Sequence, residues 1–469
     1  MKIEYKCCLS KYNFQAYNFT MQKIIKSVYI IGIGGISLSA IAVFLRKVGI
    51  KVYGSDICDS DMLQRLIKLG FSIKIGAAEE YVKLADAVIY TSAISIDNKD
   101  LLLAKKLGKK IFSRAEVLGL ISKKYNTISV AGTHGKTTTT GMISNIFLVA
   151  NKKPNIHIGG ILNNIDSNVL LGDGHDLITE ACEYKDSFLQ LSSHISVVLN
   201  IQPDHLDYFK NLDNIFNSFQ KFAQNTRKKG FLIYNFDDLL AKNIVCDCKK
   251  ISFGLADGSD LIASNIKEYE KGRYSFDVKF HNETIGDIKL PCFGKHNIYN
   301  ALASIAVGIA SKIDFKDIKN GIESFRGIKR RFELIKQNEH QLIIHDYAHH
   351  PDEIRAVLET CKQLGYQKLV AVFQPHTYSR IKMLHEDFVK CFSGADEVWL
   401  VPIYPAREKK MKGVSSFMLC KDLRKNGQKA RYFKNFELCR DTIKNNHDEN
   451  IVFIIIGAGD IEKLAYMLK

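Results

Sequence analysis

The chain is 469 residues long, which at about 150 residues per domain leaves room for about three domains. Hydrophobic residues make up 46% and charged residues 25%, an ordinary globular mix that excludes collagen-like, mucin-like and wholly disordered readings. The net charge of +16 invites a nucleic-acid partner, but only 14 of the 66 basic residues are arginine and the lysines are spread along the chain. A solvated lysine-rich surface, with no nucleic-acid partner, is therefore expected.

Residues 1–20 show no periodicity and no signal-like apolar stretch, so residues 1–25 read as an extension, with translation expected to begin at Met21. In the first block, strands are expected at 28–33, 51–53, 71–75 and 87–90, and helices at 38–48, 62–69 and 101–107. A second block opens with strand 127–131 and helix 136–150, then strands 177–179 and 196–199 and a long helix over 212–229. Alternation over 261–290 predicts antiparallel hairpins, and helices 296–311 and 314–325 lead to a linker at 325–328. The third block carries strands at 342–345, 369–373, 398–401, 430–433 and 451–456. Strand–helix alternation throughout predicts parallel sheets covered by helices: a Rossmann-like domain over 26–122, a mixed P-loop-type domain over 123–328 and a second Rossmann-like domain over 329–469. No apolar run approaches the roughly 20 residues of a membrane-spanning helix, so no membrane insertion is expected. The 11 cysteines contain no CxxC pair, and Cys246-Asp247-Cys248 is too tight for a usual zinc knuckle, so reduced thiols and a cytoplasmic setting are expected.

The strongest local signal is Gly132-Thr133-His134-Gly135-Lys136-Thr137-Thr138, a GxxGKT loop between an apolar strand and a helix. Glycines turn backbone amides toward a phosphate, Lys136 can reach the β and γ phosphates, and the Thr137 hydroxyl can hold magnesium. A threonine-rich helix cap is the bland alternative, and the Lys-Thr pair at the helix start disfavours it. Glu180 and Glu183 follow one strand, and Asp204, His205 and Asp207 follow the next, at the ends where open sheets bind ligands. Glu180 is expected to hold one magnesium ion and His205 a second metal site, while helix capping or solvent contact is as good a reading for Glu183, Asp204 and Asp207.

Gly32, Gly34 and Gly35 follow the first strand, and Asp56 ends the second. This imitates a dinucleotide fingerprint, but Ser37 stands at the third glycine, so the turn suits a nucleotide-linked substrate, with Ser92 on the same edge. In the third block His349 and His350 precede Pro351 at a helix start, His376 and Arg380 follow another strand, and Gly457-Ala458-Gly459-Asp460 follows the last. Adjacent histidines lack the i, i+4 spacing of helical zinc ligands, so zinc is disfavoured. Arg330 and Arg331, near the domain junction, are either surface charge or a guanidinium that swings onto a γ-phosphate.

From residue 26 or so to the end the chain resembles the Mur ligases, through GIGGISLSAIA, YGSD, TSAI, RAEVLG, GTHGKTTTT, EACEY, NIQPDHLDYF, FGKHNIYNALASIA, FRGIKRRFE, HDYAHHPDE, FQPHTYSR and GAGDI. FQPHTYSR and YAHHP are specific to one branch rather than to all Mur ligases; recycling ligases that attach a tripeptide to the same sugar nucleotide share the histidine pair and differ around FQPHTYSR. The resemblance implies an ATP-dependent ligase that joins L-alanine to the lactyl carboxylate of UDP-N-acetylmuramate through an acyl phosphate, with ATP and Mg2+, acting as a monomer or weak dimer. It implies that the first domain holds the uridine nucleotide, the second MgATP, and the third positions the amino acid, with the domains closing to exclude water.

Residue by residue, Lys136 and Thr137 match the phosphate lysine and magnesium threonine, and Glu180 and His205 the metal ligands. His296, Asn297 and Asn300 match the adenine-side segment and Arg331 the γ-phosphate arginine, while Asp346, Tyr347, His349 and Arg380 would face nucleotide, substrate or amine. Ser37 and Ala40 stand where the family usually has glycine, and Cys182 and Tyr184 replace an aspartate and a serine. A nicotinamide dehydrogenase using Gly32, Gly34 and Asp56 would leave the Lys136 loop unexplained. A nucleotide-sensing binding module would leave the third block's polar groups unexplained.

Overall fold

The structure, a computed structural model, describes residues 25–91, 94–406, 408–446 and 450–469. The expected start at Met21 lies outside them. The chain divides into two compact units, up to Leu118 and from Gly119 onward.

The first unit holds a five-stranded, all-parallel sheet in the order Ser72–Ile75, Lys51–Asp56, Ser27–Ile31, Ala87–Tyr90, Lys110–Ser113. The oldest strand in sequence thus lies at the centre, which is why SVYII is almost wholly buried. Tyr29, Tyr53, Val82, Leu101 and Ala104 pack one side of it. The buried Tyr29 hydroxyl donates to Asp100 at 2.5 Å, and Asp100 in turn accepts from the Ala78 amide at 3.1 Å, so this polar pair is satisfied inside the core.

The second unit contains two sheets. Ten strands form the first, with Asn126–Ala131 between Ile195–Val198 on one side and Asp176–Glu180 on the other. The strands Leu261–Glu270, Arg273–Phe280 and Glu283–Phe293 form the expected antiparallel hairpins at one end, which makes this sheet mixed. Helices Lys136–Val149, His296–Ala310 and Phe315–Glu323 cover one face, burying Ile143, Ile146, Phe147, Leu302, Ile305 and Ile318. Six strands form the other sheet, in the order Glu333–Gln337, Gln341–Asp346, Ile451–Ile456, Lys368–Phe373, Glu397–Leu400, Ala430–Tyr432. All its pairings are parallel except the first.

Three differences from expectation have physical causes. The helix expected to reach residue 229 ends at Gln224, because the Thr226 hydroxyl donates to Ser196 Oγ at 2.7 Å and the Arg227 amide to the Ser193 carbonyl at 2.9 Å, pulling the chain back to the sheet. The strand Asn155–Leu162 lacks alternation because it contains Gly159 and Gly160, whose missing side chains leave room for Glu180 and Ile328. The expected linker is no tether: Ile328 is buried, and the Lys329 amide donates to the Ile161 carbonyl at 2.9 Å.

Candidate active site

From the central strand Asn126–Ala131 the chain passes to one side of the sheet, to Asn155–Leu162, and from its neighbour Ile195–Val198 it passes to the other, to Phe231–Asn235, which opens a crevice at the C-terminal ends of these two strands. The phosphate loop fills that crevice. Gly135 has φ +85°, and a Cβ there would lie 2.5 Å from Asn300 Oδ1; Gly132 has φ +149°, with a Cβ 2.9 Å from Leu199 Cβ. Both positions demand glycine. The loop is also tied to its neighbour: the His134 amide donates to Asn200 Oδ1 at 2.8 Å and the Gln202 amide to Thr133 Oγ1 at 2.9 Å. Thr137 is buried at the helix start and Thr138 half-buried behind it.

Lys136 Nζ donates to the Gly132 and Thr133 carbonyls and lies 3.0 Å from Glu183 Oε1. Glu183 gathers with Asp204 and His205, their ligand-capable atoms all within 4.8 Å of one another. The second oxygen of Glu183 is buried without a partner. A buried carboxylate oxygen left bare beside an imidazole and a second carboxylate fits a divalent cation, which would supply the missing interaction. His205 holds φ +50°, a strained conformation for a non-glycine residue, and its ring packs 4.7 Å from that of Tyr184.

Glu180, the carboxylate expected at the metal, is not among the three residues of this group. Its Oε1 accepts the Gly159 amide at 2.7 Å, and the carboxylate grouped with His205 is Glu183. The signal was present in EACEY, where two glutamates three apart compete for one role. Their partners differ in space: Glu180 meets the Gly159 amide and Glu183 the Lys136 ammonium.

A cleft of about 270 Å³ opens beside the loop, lined by His134, Asn200, Asp237, His296, Tyr299 and Asn300 among others. Asn297 does not line it: its amide donates to the Phe293 carbonyl at 2.7 Å and its oxygen accepts from Asn300, so it braces the helix start. Asp237 and Tyr299 were not foreseen from the sequence. Burial and the hydrogen bond to Asp237, 2.9 Å away, push the Tyr299 hydroxyl pKa up, so it remains a donor. A larger groove of about 890 Å³, along 410–425, carries none of the expected site residues.

In the six-stranded sheet the ends of Gln341–Asp346, Ile451–Ile456 and Lys368–Phe373 lie side by side. They bring together Tyr347, His349 and His376, with the rings of Tyr347 and His349 5.4 Å apart and those of His349 and His376 5.8 Å apart. Arg380 donates to His376 Nδ1 at 3.2 Å; burial first, then that guanidinium, pushes His376 down to about 4. Burial also lowers His349, although Glu353 opposes it. Arg331 is exposed above Tyr347, its guanidinium 5.7 Å from the ring. Arg330 is different: it bonds the Gly459 carbonyl at 3.0 Å and pairs with Glu462 at 3.3 Å, a brace within this sheet.

Asp346 is also a brace. Its two oxygens accept the Phe332 and Ala348 amides, both at 2.8 Å, and it is buried. His350 caps the helix Pro351–Lys362 in a capping box with Glu353, as its place before Pro351 predicts. Among the described residues neither His349 nor His350 joins a group of three metal-capable side chains.

In the first unit Asp56 Oδ2 accepts the Gly34 amide at 3.0 Å and Oδ1 the Ile57 amide at 2.8 Å. The carboxylate therefore shapes the Gly32–Gly35 turn, where a dinucleotide site would turn it toward a ribose. Ser92 lies outside the described residues.

Family models match almost end to end: the Mur ligase family catalytic domain over residues 27–126, the Mur ligase middle domain over 130–308, and the Mur ligase glutamate ligase domain over 330–459. The chain belongs to the Mur ligase family. Among Mur ligases it is 45% identical over 446 residues to UDP-N-acetylmuramate–L-alanine ligase of Clostridium botulinum strain Langeland, covering 94% of this chain and 97% of that one. The ligase of the same name from Clostridium tetani is 46% identical, covering 95% and 98%. A crystal structure of UDP-N-acetylmuramate–alanine ligase from Thermotoga maritima superimposes with TM-score 0.78 at 28% identity, covering 95% of this chain and 98% of that one. A murein peptide ligase from Psychrobacter arcticus, at 21% identity and TM-score 0.68 with 94% and 98% coverage, shares the Mur ligase fold.

Proposed function

We propose that this Mur ligase joins L-alanine to the lactyl carboxylate of UDP-N-acetylmuramate at the expense of ATP, a step in peptidoglycan precursor synthesis, in the cytoplasm. One observation carries the reading: a GxxGKT loop and a carboxylate–imidazole group meet at one crevice, in a chain nearly half identical to ligases of that name. The substrate carboxylate attacks the γ-phosphorus of ATP, ADP leaves, and an acyl phosphate remains. The alanine amine then attacks the activated carbonyl and phosphate departs.

Each part of the chain has a task in this scheme. The loop amides and Lys136 hold the β and γ phosphates, and Lys136 exchanges its Glu183 partner for them. Magnesium would be held by Thr137, Glu183 and His205, with Asp204 beside them, and would supply charge neutralisation at the transferring phosphoryl group. The polar cleft by His296 and Tyr299 takes the nucleoside. Arg331 stands free to reach the phosphoryl group. His349 Nδ1 faces the Tyr347 carbonyl at 3.1 Å, so its proton sits there and the other ring nitrogen can take the proton of the incoming ammonium. The Gly32–Gly35 turn of the first domain holds the uridine nucleotide.

The mechanism is tested with a substrate whose carboxylate carries heavy oxygen. Attack through the carboxylate delivers one label to the released phosphate. Phosphate free of label would exclude the acyl-phosphate route.

A further inference from the structure

Outside the catalytic crevice, Cys246 and Cys248 bring their sulfurs within 2.9 Å, one thiol donating to the other. They lie just before the strand Lys249–Gly254, at its N-terminal end, whereas the phosphate loop lies at the C-terminal ends of these parallel strands. The backbone is fixed on both sides of the pair. The Val245 amide donates to Gln220 Oε1 at 3.0 Å, the Gln220 amide donates back to the Val245 carbonyl, and Lys250 Nζ donates to the Ile244 carbonyl at 2.9 Å. The strand itself then pairs with Phe231–Asn235. Both thiols are half-buried, so a small reagent can reach them, while Cys361, Cys391, Cys420 and Cys439 are buried.

We propose that Cys246 and Cys248 form a thiol–disulfide exchange site, which takes a low-molecular-weight disulfide as its co-reactant and closes to an intramolecular disulfide. The Cys246 thiolate attacks one sulfur of the reagent, forming a mixed disulfide and releasing one reagent thiol. Cys248 loses its proton and attacks the Cys246 sulfur, breaking the mixed disulfide and releasing the second thiol. Two protein thiols are oxidised and one reagent disulfide is reduced to two thiols. Burial first, then the neighbouring Cys246, pushes the Cys248 thiol up to about 12, so closure needs a deprotonation that a rise in pH favours. Capping Cys246 removes its share of that shift, and closure speeds up as pH rises.

The test treats the full-length protein with oxidised glutathione and follows the peptide containing both cysteines by mass. The expected product is the peptide lacking two hydrogens, restored by dithiothreitol, formed faster at higher pH, with Cys248→Ser trapped as a glutathione adduct on Cys246. A wild-type protein that stops at a stable glutathione adduct, or whose exposed Cys58 reacts while this peptide stays reduced, overturns the proposal.

Discussion

The Lys136 ammonium and the Glu183 carboxylate lie 3.0 Å apart, so the cation of the phosphate loop and the anion of the candidate metal site neutralise each other. Each is also a competitor for the other's ligand. Lys136→Ala should therefore cut turnover by about 10²–10³-fold or more while leaving the fold intact, as loss of a transition-state charge clamp does. The same variant should bind manganous ion more tightly than wild type, because Glu183 no longer has an ammonium to satisfy it. Titration by electron paramagnetic resonance checks this, and weaker binding would contradict it.

The two glutamates of EACEY should separate cleanly. Glu183→Gln removes a buried charge next to His205 and should abolish metal-supported turnover and manganous-ion binding. Glu180→Gln keeps an oxygen for the Gly159 amide and should stay within about tenfold of wild type, since a neutral acceptor replaces a charged one in a single hydrogen bond. Chelation with EDTA should stop the wild-type reaction, and added magnesium should restore it.

The backbone of the loop is testable by stability. Gly135→Ala puts a side chain at φ +85°, 2.5 Å from Asn300 Oδ1, which also accepts the Thr139 hydroxyl. A cost of about 1–3 kcal/mol is expected from the strained conformation alone, read as a lower Tm together with weaker ATP binding.

A buried histidine should set the acid limit. His345 has no solvent exposure, neither ring nitrogen has a partner, and burial pushes it down to about 3. The unfolded chain binds that proton near pH 6.5 and the folded one does not, so stability is complete above pH 6.5 and falls as pH drops toward 3, by up to about 1.4 kcal/mol per pH unit. His345→Leu should flatten this part of the denaturation profile. An unchanged acid limb would assign it to other groups.

Much of this was legible in the sequence, and the misses share a cause. GTHGKTTTT, the strand runs and the Pro351 helix start depend on local chemistry, and the structure has them where they were expected. Two of the site assignments depended on which neighbour a side chain meets. Glu180 meets the Gly159 amide while Glu183 meets Lys136, and both oxygens of Asp346 accept main-chain amides, of Phe332 and Ala348. Asp237 and Tyr299 escaped because nothing local marks them; a helix from a distant part of the chain brings them together. The strand Phe231–Asn235 was hidden behind an overlong helix, since the four-residue apolar run Phe231–Tyr234 after lysines carries no period of its own.

The central claim is most directly tested by phosphate release from ATP in the presence of UDP-N-acetylmuramate, with and without L-alanine. The account predicts release that requires both, together with the amide-linked product by mass. Release with a peptide in place of alanine, and none with alanine itself, would contradict it and move this Mur ligase to a different acceptor.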